Sequence, residues 1–233
     1  MTAPARGVVL AAVGGYLDTL GYMMLSGLFV NHVTGNIVLA VAEPGRSSVP
    51  EIVMFPLFFA MVAFGTAVAA RGPGIRAALT AEATFLGLFL VLGVVLIPEP
   101  GAASLTGEVV VGAAGVSAMA IQTAVTRLAG HAFPTNMVTG TMTMLGMDAA
   151  RLLLHLDNAA TERAATSRRA RLHGRVVLGF AAGAAAAALV TSTARFWAGL
   201  IPLAVVGFLA ALPITKEKEK ETWPQSLVTT TSA

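Results

Sequence analysis

An aspartate near the centre of an apolar run is the sharpest chemical signal in the chain. Between Gly7 and Val30 the only charge is Asp18, and an unpaired charge in mid-span costs at least ~3 kcal/mol on insertion scales. Asp18 is therefore expected to face a bundle interior, as a proton carrier, a cation ligand or the partner of a cytoplasmic arginine. The competing expectation is a protonated or hydrogen-bonded carboxyl that holds helices together. Beyond it comes Asn31-His-Val-Thr-Gly-Asn-Ile-Val-Leu39, which recurs as Asn136-Met-Val-Thr-Gly-Thr-Met-Thr-Met144. Asn and Thr cap free N–H groups at helix starts, and Gly accepts unusual backbone angles. Thr34, Gly35 and Asn36 in the first copy, and Thr139, Gly140 and Thr141 in the second, predict the starts of short half-helices. Their free N–H groups and positive dipole ends suit an anionic or polar group. The bland counterpart is a structural break in which these residues satisfy one another's backbone.

Neighbouring residues extend the candidate site. His32 occupies the first copy where Met137 occupies the second, and a neutral imidazole near a carboxylate relays protons at physiological pH or simply hydrogen-bonds. At the position of Asp18 in the second half stands Thr123, with Gln122 beside it, so the charge is not duplicated. Gln122, Asn31 and Asn136 offer neutral hydrogen bonds. Glu82 is the only charge between Ala77 and Ile97 and lies shortly after Arg76; it is expected to pair or snorkel at the end of its span. His131, His155 and His173 lack metal-ligand spacing, so no metal site is expected. Gly179-Phe-Ala-Ala-Gly183 gives a helix a small-residue face for close contact.

These residues need elements to position them, and composition says which kind. The 233 residues are 56% hydrophobic and 12% charged, with a mean hydropathy of +0.77, against roughly 25% charge in a soluble domain. Too few charges remain to dress a water-facing surface, and about half of those lie between Arg151 and Arg175 or after Thr215. The bilayer is the expected solvent. Without cysteine there is no disulfide framework, thiol nucleophile or iron-sulfur cluster. The sequence pI near 9.8 follows from membrane topology, and no basic face with interleaved aromatics points to nucleic acid. A nucleophile elbow, a phosphate-cradling loop and a cofactor motif are all missing, so an enzyme and a cofactor are not expected.

About 20 apolar residues cross a bilayer core of roughly 30 Å. Six stretches qualify: Gly7 to Val30, Ile52 to Ala70, Ala77 to Ile97, Val109 to Thr126, Val176 to Ala194 and Phe196 to Ile214. Val33 to Ala42 is too short to cross, and Met137 to Leu156 is broken by Thr, Gly and Asp148. With six crossings and both termini cytoplasmic, every Lys and Arg except Arg46 and Arg195 falls inside, as the positive-inside rule requires. An eight-span alternative would put the turn between Arg71 and Arg76 outside. Arg151 to Arg175 reads as a cytoplasmic helix near anionic headgroups, and 216–233 as a solvated tail.

The two motif copies each follow one span and precede two more. The chain thus divides into a first membrane repeat, 1–98, and a second, 99–215. Halves with an odd number of crossings sit in opposite orientations, as in many secondary transporters. The fold expected is an all-α polytopic membrane protein of six transmembrane helices in two inverted three-span repeats, each with a broken or half-helix at its T-G motif.

The runs Gly14-Gly-Tyr-Leu-Asp18-Thr-Leu-Gly21, Gly27-Leu-Phe-Val-Asn-His-Val-Thr-Gly-Asn36, Gly115-Val-Ser-Ala-Met-Ala-Ile-Gln122 and Val138-Thr-Gly140 resemble the YoaK-like family of bacterial membrane proteins. The resemblance covers Gly7 to Pro213 and departs where Thr141 replaces the Asn36 of the first copy. It implies a bacterial inner-membrane domain whose biochemical activity is not established. Half-helix starts in inverted repeats are also similar to nucleobase and sulfate-type permeases, by architecture alone. The expectation is a secondary transporter or facilitator for a small polar or anionic solute, coupled to protons or cations through Asp18. Membrane lipids and the solute are its expected partners, and a homodimer would help so few spans enclose a pathway. The alternative is a non-transporting membrane module that binds a lipid or a partner protein through Arg151 to Arg175.

Overall fold

In an apolar solvent every backbone N–H and C=O must be satisfied within the chain, and a helix does so locally. The computed structural model describes residues 1–42, 48–71, 74–101, 104–128, 138–157 and 159–212, and among them all regular structure is helical. The elements are α1 (Ala3–Met24), α2 (Val33–Ala42), α3 (Val49–Arg71), α4 (Ile75–Leu96), α5 (Leu105–Leu128), α6 (Val138–Leu153), α7 (Ala160–Ala194), a 3-10 turn (Arg195–Gly199) and α8 (Leu200–Ala211). Five stretches are long and apolar enough to cross a membrane: Pro4–Met24, Val49–Ala70, Ile75–Leu96, Leu105–Leu128 and Ala160–Ala211. This is the make-up of a membrane protein.

The sixth span, expected from Phe196 to Ile214, begins as a 3-10 turn and is α-helical only over Leu200–Ala211, and two other differences from the sequence expectation matter more. The first span was expected to run to Val30, but α1 stops at Met24, because Ser26 (φ 51) and Gly27 (φ 93) take up left-handed backbone angles that no helix contains. The second difference is α7. Its 35 residues form one rod of about 52 Å, so Arg163 to Arg175 continue directly into the apolar segment and do not form a separate surface helix. The chain then reverses at Arg195 (φ 52). Ala198 meets Tyr16 through a 3.0 Å hydrogen bond from the Tyr16 hydroxyl, and Leu209 packs in the same cluster as Leu10, so α8 runs antiparallel to α1.

Helices α1 and α5 form the centre. Their spanning segments are 67% and 78% buried, against 11% for α3 and 33% for α4, so residues on them are sheltered from lipid. Close backbone approach sets the packing. A Cβ on Gly179 would meet the Val8 carbonyl at 2.9 Å, and Gly183 and Gly15 press on the carbonyls of Ala12 and Phe180. The small-residue face of α7 is therefore spent within the chain, on a parallel partner, α1. Helix α3 lies parallel to α5, with Met54 at Gly112 and Gly65 against Ile121 and Ala124. By contrast α1 and α5 run in opposite directions: Leu10 meets Gln122, while Leu28 and Val30, just past the end of α1, meet Gly112 and Gly115. The short α2 packs on α3, and α6 packs on α7.

Candidate functional site

The site is built where the chain doubles back after α1. The Ser26 hydroxyl donates to Glu108 at the start of α5, and the fully buried Leu28 and Val30 anchor the returning strand of chain in the core. Asn31 and His32 are thereby delivered to Asp18, which is only 4% exposed. One carboxylate oxygen accepts the backbone N–H of Asn31 at 2.7 Å and of His32 at 3.2 Å. The other meets His32 Nδ1. Asp18 thus does for the entry to α2 what an N-cap does within one helix, satisfying N–H groups with no partner of their own. Asn36 closes the same turn from the far side. Its amide accepts the N–H of Phe29 at 2.9 Å and donates to the Phe29 carbonyl at 2.7 Å.

The Asp18 and His32 side chains form a carboxylate–imidazole pair with a buried and a wetter end, their side-chain exposures being 6% and 33%. The imidazole stands edge-on to Phe29 and Phe180, with ring centroids 6.3 and 5.7 Å away. Such a pair takes up a proton on the imidazole and disperses the resulting charge onto the carboxylate. Beside it lies an unsatisfied group. Asn31 is 3% exposed, and both its amide nitrogen and its amide oxygen are buried without a hydrogen-bond partner. Gly14 leaves the room it occupies: a Cβ there would come within 3.0 Å of Asn31 Nδ2 and 3.8 Å of Gln122 Nε2. Gln122 donates to the Leu10 carbonyl at 3.1 Å.

The structure therefore gathers Asp18, Asn31, His32 and Gln122 around one turn of α1. Thr34 is exposed and Gly35 half-buried in the first turn of α2, and Asn36 is engaged with Phe29. In the second copy Asn136 lies outside the described residues, Thr139 and Gly140 are exposed on α6, and Thr141 is buried there. Thr123, at the position of Asp18 in the second half, bonds its own helix at Met119, 2.8 Å away. Among the described residues no group of three or more His, Asp or Glu is placed to hold a metal.

Two buried polar arrangements were not anticipated from the sequence. Asp148 of α6 is buried, with His173 Nδ1 at 2.9 Å and Arg169 Nη2 at 3.2 Å. Arg169 also donates to Thr166 at 3.1 Å. Thr166, Arg169 and His173 recur at helical spacing on one face of α7, the signal that would have marked them. Nearby Asp157 is buried and held by Arg151 through bonds of 3.0 and 2.7 Å. Burial pushes its carboxyl up, but bonds from Arg151 and Thr166 outweigh this and hold it below the ordinary carboxylate range. The other feature is Glu82. It was expected to snorkel or to pair with Arg76; instead it is 0% exposed with no partner on either oxygen, while Arg76 is exposed on another face of α4. Six residues turn a helix by well over one and a half turns, which carries Glu82 into the core and away from Arg76.

A family described as Protein of unknown function (DUF1275) matches residues 6–212. No curated protein and no solved structure matches the chain.

Proposed function

The chain belongs to this DUF1275 family of unknown function, and from that premise we propose that it is a secondary transporter or facilitator for a small polar or anionic solute in a bacterial inner membrane. The observation that carries the reading is the Asn31 amide. A buried amide with neither polar atom bonded costs on the order of 1–3 kcal/mol, a cost that a solute able to donate and accept hydrogen bonds would remove. It sits beside a proton-holding pair, Asp18 and His32, so solute and proton would share one turn of α1. Gln122 supplies the contribution of the second half.

The packing supports an inverted duplication. Helices α1 and α5, each preceding a copy of the motif, run in opposite directions. Exchanging the two halves turns the α1–α7 contact into α5–α3 and the α2–α3 contact into α6–α7, and all four contacts are present. On this reading α1, α3, α4, α5 and α7 cross the membrane, the 3-10 turn and α8 together make the return crossing, and α2 and α6 are the half-helices that begin at the T-G motifs. Both termini face the cytoplasm, and a homodimer is the working assembly.

The test uses purified protein in mild detergent, its melting temperature measured against panels of anions, nucleobases and amino acids. A ligand at one hundred times its Kd stabilises by ~2.7 kcal/mol. A hit that is lost in Asn31→Ala, and whose uptake into proteoliposomes follows a proton gradient only while His32 is present, supports the proposal. No solute shift and no uptake would return the protein to the alternative, a non-transporting module that binds a lipid or protein. The exposed arginines 163, 168, 169, 171 and 175 of α7 favour that second reading.

A further inference from the structure

A groove of about 390 Å3 runs between α1, α7 and α8, lined by Val9, Val13, Ala182, Ala186, Ile201 and Val205 among others. Ala182 and Ala186 are exposed, and the three helices belong to stretches apolar enough to cross a membrane, so the groove opens toward hydrocarbon. What distinguishes it from any lipid-facing surface is its end. A helix repeats its direction after seven and eleven residues. Arg175 lies seven before Ala182 and eleven before Ala186, and Arg171 lies eleven before Ala182, so one stripe of α7 is alanine along the groove and arginine beyond it. Arg175, Arg171 and Arg168, seven before Arg175, are all exposed. The one carboxylate of α7, Glu162, lies off this stripe.

Helix α1 adds to the same end. Because Val8 lies against Gly179 and Ala12 against Gly183, the two helices run in register and Arg6 falls at the level of Arg175. Arg6 is 7% exposed and its Nε is buried without a hydrogen-bond partner. An apolar slot that ends after about 10 Å of helix rise in cationic groups from two helices has the chemical profile of a phospholipid: hydrocarbon first, then phosphate.

We propose that the α1, α7 and α8 groove binds an acyl chain of an anionic phospholipid whose phosphate is held by Arg171 and Arg175, with Arg6 beside them. The site is separate from the Asp18 turn and does not depend on transport. Native mass spectrometry of the purified full chain, titrated with phosphatidylglycerol and phosphatidylcholine of identical acyl chains, tests it. Wild type binds phosphatidylglycerol more tightly, and the double variant Arg171→Gln, Arg175→Gln loses about tenfold or more of that affinity, bringing it to the level of phosphatidylcholine. Ala182→Phe with Ala186→Phe, exposed positions whose enlargement fills the slot, weakens both lipids while leaving the melting temperature in lipid-free detergent unchanged. Equal binding of the two lipids by wild type, or a headgroup preference that survives the arginine changes, overturns the proposal. So does undiminished phosphatidylglycerol binding in the filled variant, and so does displacement of the lipid by millimolar inorganic phosphate, which would mark a free-anion site.

Discussion

Asp18 holds His32 twice, through the backbone N–H at 3.2 Å and through ring Nδ1, while also accepting the N–H of Asn31 at 2.7 Å. A single carboxylate in a spanning helix thereby fixes both the path of the chain into α2 and the position of the imidazole. The anchoring of the chain and the placement of the imidazole rest on the same group.

Removing the two partners should therefore have unequal effects. Asp18→Ala strands one buried and one partly buried backbone N–H group and costs about 3 kcal/mol, whereas His32→Ala loses one bond from a one-third exposed ring and costs about 1 kcal/mol. Denaturant unfolding in detergent micelles measures both, and equal costs would contradict the anchoring role.

Glycines on α7 divide by what surrounds them. Gly183→Ala would push a methyl into the carbonyl of Ala12 and cost about 2 kcal/mol as α1 and α7 separate. Gly174 of the same helix has nothing within 4 Å of its missing Cβ, so Gly174→Ala stabilises by about 0.5–1 kcal/mol through helix propensity. Melting temperatures of the two variants should move in opposite directions.

The Arg151 to Asp157 link predicts a pH dependence. The Asp157 carboxyl titrates lower in the folded chain than its ordinary value, so its contribution is complete above the unfolded value and lost as pH falls through the folded one. Wild type should lose melting temperature below about pH 4 more steeply than Arg151→Gln, and parallel curves would show that the pair is not linked to folding.

Glu82 is a cost to the fold. With both oxygens buried and unpartnered, its replacement by Leu removes a polar group that nothing satisfies, and Glu82→Leu should raise stability by about 1–3 kcal/mol. A destabilised Glu82→Leu protein would mean that the carboxyl is bonded.

Much of the fold was legible in advance, since an apolar run leaves its backbone no hydrogen-bonding solution simpler than a helix. Hydropathy extends the first span to Val30 because it is blind to backbone angle: Ser26 and Gly27 belong to an apolar stretch yet turn the chain. Charge alone sets the basic segment of α7 apart from the apolar one because it marks where water begins, whereas the helix crosses that boundary without breaking. In the site, Asp18, His32, Asn31 and Gln122 were recognisable as polar residues in apolar runs, whereas Asp148 and His173, on different helices, gave no local sign of meeting.

By itself the sequence determined the solvent, the helical class and the polar residues that such a solvent makes costly, because transfer energies and helix periods are local properties. Tertiary structure alone decided which of those residues are satisfied. Whether a carboxyl at mid-helix finds two N–H groups, as Asp18 does, or none, as Glu82 does, depends on how a distant segment folds back beside it, and that is set by the packing of α1 against α5 and α7.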